Sequence, residues 1–554
     1  MKKINKLLYL LKINMVSQKG MALLATLIFV FILTTFGIAL LTMTRNETKL
    51  SVLQEESTKA FYLADAGIEK ALNWLEMFST PPTEENINTT DFDGTHPYDE
   101  LSAGKYTVKL YIDDALGELV ARYVIETEGL VTRPDSSRVS RKIKTLVRVS
   151  NFAEFAYFSD DERFPNNANI SGSSGYAGSK IWFTGNDILG GKVHSNSQFH
   201  MVDEPTFKGK LTSTADTIDF WGDEYLEDGT DFPNFENGFE LGVDTIPLPQ
   251  YRNISDLDDE YSLQRIAGGS WEKSDIEALS DGVKVPNEAG PGTGVNGGIY
   301  IQGDANIELN VDGATGTEGP NSKITVDQGV NTTIITSVME PIDLFDPLNA
   351  ITLDEIIIAA GTHIDIPANT TLLKTGVNTY TSYTGITNGL LFVDGNINSL
   401  QGSNHKGKMT IASNESINIT NDLLYKSRNN QTGDVNDLDM NLIEDSLGLI
   451  AAKDVVIGSA ADWDIEVDAI IMAINTSFFY DDWRYRLRGT LNLLGGLIQK
   501  ERGPVGTHHA GTKVTGYSKN YNYDIRMANP AGGYLPPYFP TTGKYEKVYW
   551  KEVY

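Results

Sequence analysis

The chain has 554 residues, enough for two or three domains, and carries 74 acidic against 45 Lys and Arg side chains, a net charge of −29. An acidic balance of this size excludes nucleic acid as a partner, because phosphates demand a basic footprint. Cysteine is absent, which excludes disulfide stapling, zinc-thiolate sites and cysteine nucleophiles.

Residues 1–20 contain five lysines (Lys2, Lys3, Lys6, Lys12 and Lys19), no acid, and end in Gly20. Met21 to Met43 follow without a charge, 23 residues in a row, long enough to cross a bilayer as a helix. The positive-inside bias expects residues 1–20 in the cytoplasm, 21–44 in the membrane and the rest outside, a single-pass protein of the cytoplasmic membrane. Gly37-Ile38-Ala39 imitates a small-residue signal cleavage site, the alternative fate of this segment. Beyond Arg45 to Lys49, the residues Leu50, Leu53, Phe61, Ala64, Ile68, Ala71, Leu72 and Leu75 recur at mostly three- and four-residue spacing. No proline intervenes before Pro81-Pro82. The pattern predicts an amphipathic continuation of the same helix over residues 45–80.

The stretch Gln18-Lys19-Gly20-Met21-Ala22-Leu23-Leu24, continuing to Lys59-Ala60-Phe61-Tyr62-Leu63-Ala64-Asp65-Ala66-Gly67-Ile68-Glu69, resembles the class III signal and N-terminal domain of PilX-like minor pilins of type IV pili. The resemblance implies cleavage by a prepilin peptidase between Gly20 and Met21, methylation of Met21, and packing of the helix with other pilins or pseudopilins. Major pilins carry Glu at the fifth mature position, where this chain has Ala25. The resemblance therefore implies a minor, priming or tip component, since a buried ammonium lacks its carboxylate partner here. Ala22, Ala25, Gly37 and Ala39 are the small residues expected to allow close helix packing in membrane or filament.

Residues 105–111, 121–131 and 138–149 alternate polar and apolar, which predicts half-buried antiparallel strands. The amphipathic half of the helix is their simplest partner, so residues 81–151 read as the sheet of an α+β, pilin-like module. From residue 152 the composition shifts to Gly, Asn, Asp, Ser and Thr. Gly298–Leu309, Gly389–Asn398, Lys408–Ile419 and Gly448–Ile457 each read as strand, turn, strand. These predict a mainly-β, solenoid-like ectodomain over 152–490, with an insertion near 215–290 holding one short helix at Glu272–Leu279. Residues 491–554 are expected to cap the open end of the solenoid core. Lys192-Val-His-Ser-Asn196 and Pro205-Thr-Phe-Lys-Gly209 resemble an uncharacterised domain found behind PilX-like N-termini.

Catalytic chemistry is not expected. Gly292-Thr-Gly294-Val-Asn-Gly297 has dinucleotide-loop letters but a strand where the mechanism needs a helix. His194 and His200 are two positions able to share a strand face, and so are His363 and Asp365, but neither pair has a third partner. Asp434, Asn436 and Asp439 give oxygen ligands at odd spacing, a weak calcium candidate without the glycine and terminal glutamate of an EF-hand. No other metal and no cofactor is expected. The competing function is a tethered cell-surface protein that binds or degrades polysaccharide, with Trp221, Tyr225, Trp483 and Tyr485 as candidate sugar-stacking rings.

Overall fold

A computed structural model describes residues 2–553 other than 79–80, 100, 114–121, 134–135, 168, 171–174, 222–232, 288–293, 313–318, 330, 341, 346–350, 354–355, 359–362, 377–378, 429–437, 510–511 and 529–532. Helix α1 runs unbroken over Lys2–Leu75, so residues 2–20 continue the helix expected from Met21 onward. Its 74 residues make a rod of roughly 110 Å. The apolar stretch after Met21 has a mean hydropathy of 2.6 and no buried residue in its most apolar window. Burial begins only at Ala60 and then follows Leu63, Ala64, Ile68, Ala71, Leu72 and Leu75. Leu50 and Leu53, placed on the amphipathic face by their spacing, are 63% and 42% exposed. The sheet does not reach them. Past Leu75 the amides tighten onto i−3 carbonyls (Met77 N to Trp74 O, 3.2 Å), and Pro81-Pro82 bars any continuation.

The face α1 packs on is an antiparallel sheet of β1 (Lys105–Ile112), β2 (Arg122–Thr132), β3 (Arg138–Asn151) and a closing strand, Thr541–Val553, in that order. Alternation decides which residues face the helix: Tyr106, Val108 and Leu110 on β1, Tyr123 and Ile125 on β2, Ile143 and Val147 on β3. Gly129 of β2 lies directly under the helix, where a Cβ would stand 2.0 Å from the Ala60 carbonyl oxygen. On the closing strand Trp550 meets Phe61 edge-on at 5.7 Å. Arg141 of β3 bonds both Glu552 and Ser57. The sequence reading assigned residues 541–553 to a cap. They pair instead with β3 across nearly 400 intervening residues, Thr145 opposite Trp550 and Val149 opposite Tyr545.

Residues 155–522 form two large sheets around one apolar core. The four predicted strand–turn–strand units appear as such. Their first strands (Ile299–Gln302, Leu390–Asp394, Lys408–Ser413, Ser446–Ala451) lie in one sheet, and their second strands (Ala305–Val311, Ile397–His405, Ile417–Tyr425, Val455–Ile457) in the other. Successive units pair in parallel and in register. Leu391, Ile411, Leu449, Ile471, Leu497, Tyr157, Val193 and Leu211 form one inward column. Among the described residues neither sheet closes on itself.

The order of strands in the first sheet departs from a simple stack. Phe155–Asp161 sits in its middle. Lys192–Ser195, Leu211–Ser213 and Phe239–Leu241 extend it one way in chain order. The chain then crosses to the far edge, re-enters at Gly282–Lys284, and winds back until Leu497–Glu501 pairs with Phe155–Asp161. Two expectations change accordingly. Residues 219–221 and 233–241 belong to the stack, because Asp219–Phe220, Asn234–Phe235 and Phe239–Leu241 pair in parallel with earlier strands. The interruption is therefore 242–281. It carries three short helices, Tyr251–Ile254, Leu263–Gly268 and Lys273–Glu277, of which only the last was anticipated. Ile254, Leu263, Ala267 and Ile276 cover the outer face at Tyr300, Leu390 and Phe392. Residues 491–540 are not a separate cap: Gly506–His509 forms the edge of the second sheet, but the strands before it lie inside the stack. Leu487–Leu494 and Leu497–Glu501 are paired on both sides, as strands this apolar must be. Met527 and Phe539 cover the outer face beside Ala412, Ile450 and Met472.

Candidate functional site

Two regions have the makings of a functional surface: the uncovered half of α1, and a cleft where the returning chain meets its own start. Gly20 and Met21 lie within the unbroken helix, which begins at Lys2 and also carries Lys3, Lys6, Lys12 and Lys19. From Met21 to Leu53 the side chains are exposed, Gly37 alone being part-buried. Thr34, Thr35, Thr42 and Thr44 turn their hydroxyls onto the carbonyls of Val30, Phe31, Ile38 and Leu40 at 2.5–2.9 Å, which satisfies them without water and suits a segment in lipid. At about 100° per residue, Ala22 and Ala25 share a face, whereas Gly37 and Ala39 fall on nearly opposite sides. The four small residues therefore make no single stripe.

The cleft lies where Leu497–Glu501 meets Phe155–Asp161. Its volume is about 290 Å³. Rings of Phe164, Tyr176 and Trp483 wall part of it, with Phe164 and Trp483 5.4 Å apart and Tyr176 edge-on to Trp483 at 5.8 Å. Another part is charged, although the cleft adjoins the apolar core. Arg502 donates to Glu162 at 3.0 Å and lies 3.7 Å over the Phe183 ring. Lys519 pairs with Asp187 at 2.6 Å. Burial works to raise the Asp187 carboxyl, but Lys519 and Arg502 outweigh it and hold the group below the usual carboxylate range. Burial pushes the Lys519 ammonium down despite Asp187. Tyr157 forms part of the floor. Burial, foremost, and then Glu162 push its phenol well above its ordinary range. The hydroxyl lies near Glu162 and Ser159 but, among the described residues, makes no hydrogen bond of proper geometry.

Sequence reasoning missed this cleft. Lys519 stands opposite Leu491 and Tyr521 opposite Leu493 in the parallel register, so a charge occupies a position where alternation calls for an apolar side chain. That violation was the available signal.

The remaining candidates are scattered. Asp434 and Asn436 lie outside the described residues. Asp439 caps the turn Met440–Leu442, accepting from the Asn441 amide at 3.0 Å and its side chain at 2.9 Å. Among the described residues no three His, Asp or Glu side chains converge as a metal site. His194 and His200 sit in different sheets. His194 bonds Thr212 and Asn196, and His200 bonds Asp219; burial depresses both imidazoles. His363 and Asp365 belong to a strand, His363–Ile366, that pairs antiparallel with Ile342–Phe345. Of the proposed stacking rings, Trp483 is 4% exposed and lines the cleft, Trp221 is exposed and edge-on to Trp182 at 5.1 Å, Tyr485 is exposed, and Tyr225 lies outside the described residues.

One family matches: a domain of unknown function, DUF4900, over residues 119–215. The match runs from the helix-packed sheet into the first strands of the β-rich region and includes both strings noted above, Lys192–Asn196 and Pro205–Gly209. No curated protein matches the chain, and no solved structure does.

Proposed function

We propose that this chain is a minor, pilin-like component of a type IV pilus or related secretion pseudopilus. In this reading a prepilin peptidase cuts between Gly20 and Met21 at the cytoplasmic face, Met21 is methylated, and the helix passes from the membrane into a filament core beside other pilins or pseudopilins. The observation that carries it is the division of α1. From Met21 to Met43 it is uncharged and uncovered, compatible with a single-pass anchor, and from Ala60 to Leu75 it lies on a four-stranded antiparallel sheet, a pilin-like architecture. The β-rich region behaves as a solenoid-like ectodomain presented outside the cell. Its bulk favours a low-copy place at a tip over dense repetition along a shaft. The test is the mature N-terminus by mass spectrometry, wild type beside Gly20→Ala. A methylated Met21 that disappears in the variant is the expected result; an intact Met1 or a start after Ala39 overturns the reading.

A second reading, a tethered surface protein that binds polysaccharide, is favoured by the ring-walled cleft. It requires neither the peptidase nor a filament.

A further inference from the structure

We infer that the cleft at the seam between Leu497–Glu501 and Phe155–Asp161 is a binding site for one or two uncharged pyranose rings of a surface glycan. The inference rests on the polysaccharide-binding reading and gives it a place in the fold. At about 290 Å³ the cleft is at the small end of ligand sites, which suits a short stretch of sugar. The walls supply ring faces: Trp483, Phe164 and Tyr176 line part of the cleft, and the slightly positive C–H edges of a pyranose lie against the negative face of an aromatic ring.

The charges argue for a neutral ligand. Arg502 is paired with Glu162 and Lys519 with Asp187, so the charged part carries no excess of either sign. A carboxylated sugar would break one of these pairs and leave a buried charge uncompensated, which costs several kcal/mol. What the pairs do offer is a rigid set of donors and acceptors. Lys519 has three N–H donors and Asp187 two acceptor oxygens, fixed at the edge of the space. The Tyr157 hydroxyl on the floor, 3% exposed and without a well-formed bond, is the kind of polar group that a ligand hydroxyl completes.

The test is titration of the full-length protein, held in a detergent without a sugar headgroup, by tryptophan fluorescence and calorimetry. The probes are maltotriose, xylotriose and chitotriose, with trigalacturonate as the charged comparator. Saturable binding of at least one neutral trisaccharide is expected. Tyr157→Phe, which keeps the ring, is expected to weaken it roughly tenfold, and Trp483→Ala to abolish it, with circular dichroism unchanged in the first variant. Binding that neither substitution alters moves the glycan elsewhere and overturns the cleft while leaving the polysaccharide reading standing. Preference for trigalacturonate overturns the neutral assignment. No binding of any neutral probe overturns both.

Discussion

Replacing Gly129 by alanine puts the packing of α1 on its sheet to a direct test. The added methyl would stand 2.0 Å from the Ala60 oxygen, 2.6 Å from the Ala64 nitrogen and 2.9 Å from the Leu63 Cβ. Two of these atoms are helix backbone and have no rotamer to yield. Ordinary contact begins near 3.4 Å, so the helix must retreat by about 1.4 Å, the difference of the two distances. Overpacking costs about 1–3 kcal/mol. The retreat also loosens Ala60, Leu63 and Ala64, all buried, which places the cost near ~3 kcal/mol, more than a hundredfold in local opening. The assay is hydrogen exchange of the β2 and β3 amides in detergent-solubilised full-length protein. Gly67→Ala is the matched control. Its methyl would meet only side-chain atoms, Thr127 Cγ2 at 3.0 Å and Tyr106 Cδ2 at 3.1 Å, and it gains about 1 kcal/mol of helix propensity, so exchange should stay within a few fold of wild type. If Gly129→Ala exchanges like wild type, or the control matches it, the close approach of helix and sheet is wrong.

Other expectations concern buried carboxylates. Glu154 is fully enclosed and bonds Arg148, Lys192 and the Asn151 amide, while Glu546 of the closing strand bonds the same two cations. Glu154→Ala takes the acceptor from the buried Asn151 amide and leaves Arg148 with Glu546 alone, at a cost of about 2 kcal/mol; limited proteolysis should cut first near residues 151–155, and resistance equal to wild type would refute the role of this network as the joint between sheet and β-rich region. Asp468 is enclosed beside Arg428, yet burial outweighs the arginine and pushes its carboxyl up to about 7. A raised pKa in the folded state means that its stabilising contribution is complete below about pH 4 and is lost as pH rises through about 7, up to ~4 kcal/mol. Asp468→Asn removes that dependence. Exchange protection of Ile465–Asp468 should fall between pH 5 and pH 8 in wild type and stay level in the variant, and parallel behaviour of the two would refute it.

How much of this was legible depended on whether the cause was local. Period-two alternation located β1, β2 and β3 to within a residue or two, because a half-buried strand needs no knowledge of its partner. Uncharged length located the exposed half of α1. Pairing is another matter. Tyr545, Lys547, Tyr549 and Lys551 alternate with their neighbours no differently from a strand of the β-rich region, and nothing local says that β3 is their partner. The same holds for the return of the chain to Phe155–Asp161. Leu50 and Leu53 fit a helix face that the sheet is too short to cover. The cleft was hidden because each charge reads alone as a surface residue; only the register opposite Leu491 turns Lys519 inward.

The closing strand has a consequence for biogenesis. The sheet under α1 is not complete until residues 541–553 have been synthesised, nearly 400 residues after β3. Until then β3 offers an open edge, and such edges invite wrong pairing and attack by proteases. A chain released early keeps α1 but lacks a finished platform beneath it. Completion of the platform thus reports that translation has passed residue 553, and a fragment that stops short of it cannot present the same four-stranded surface to the helix.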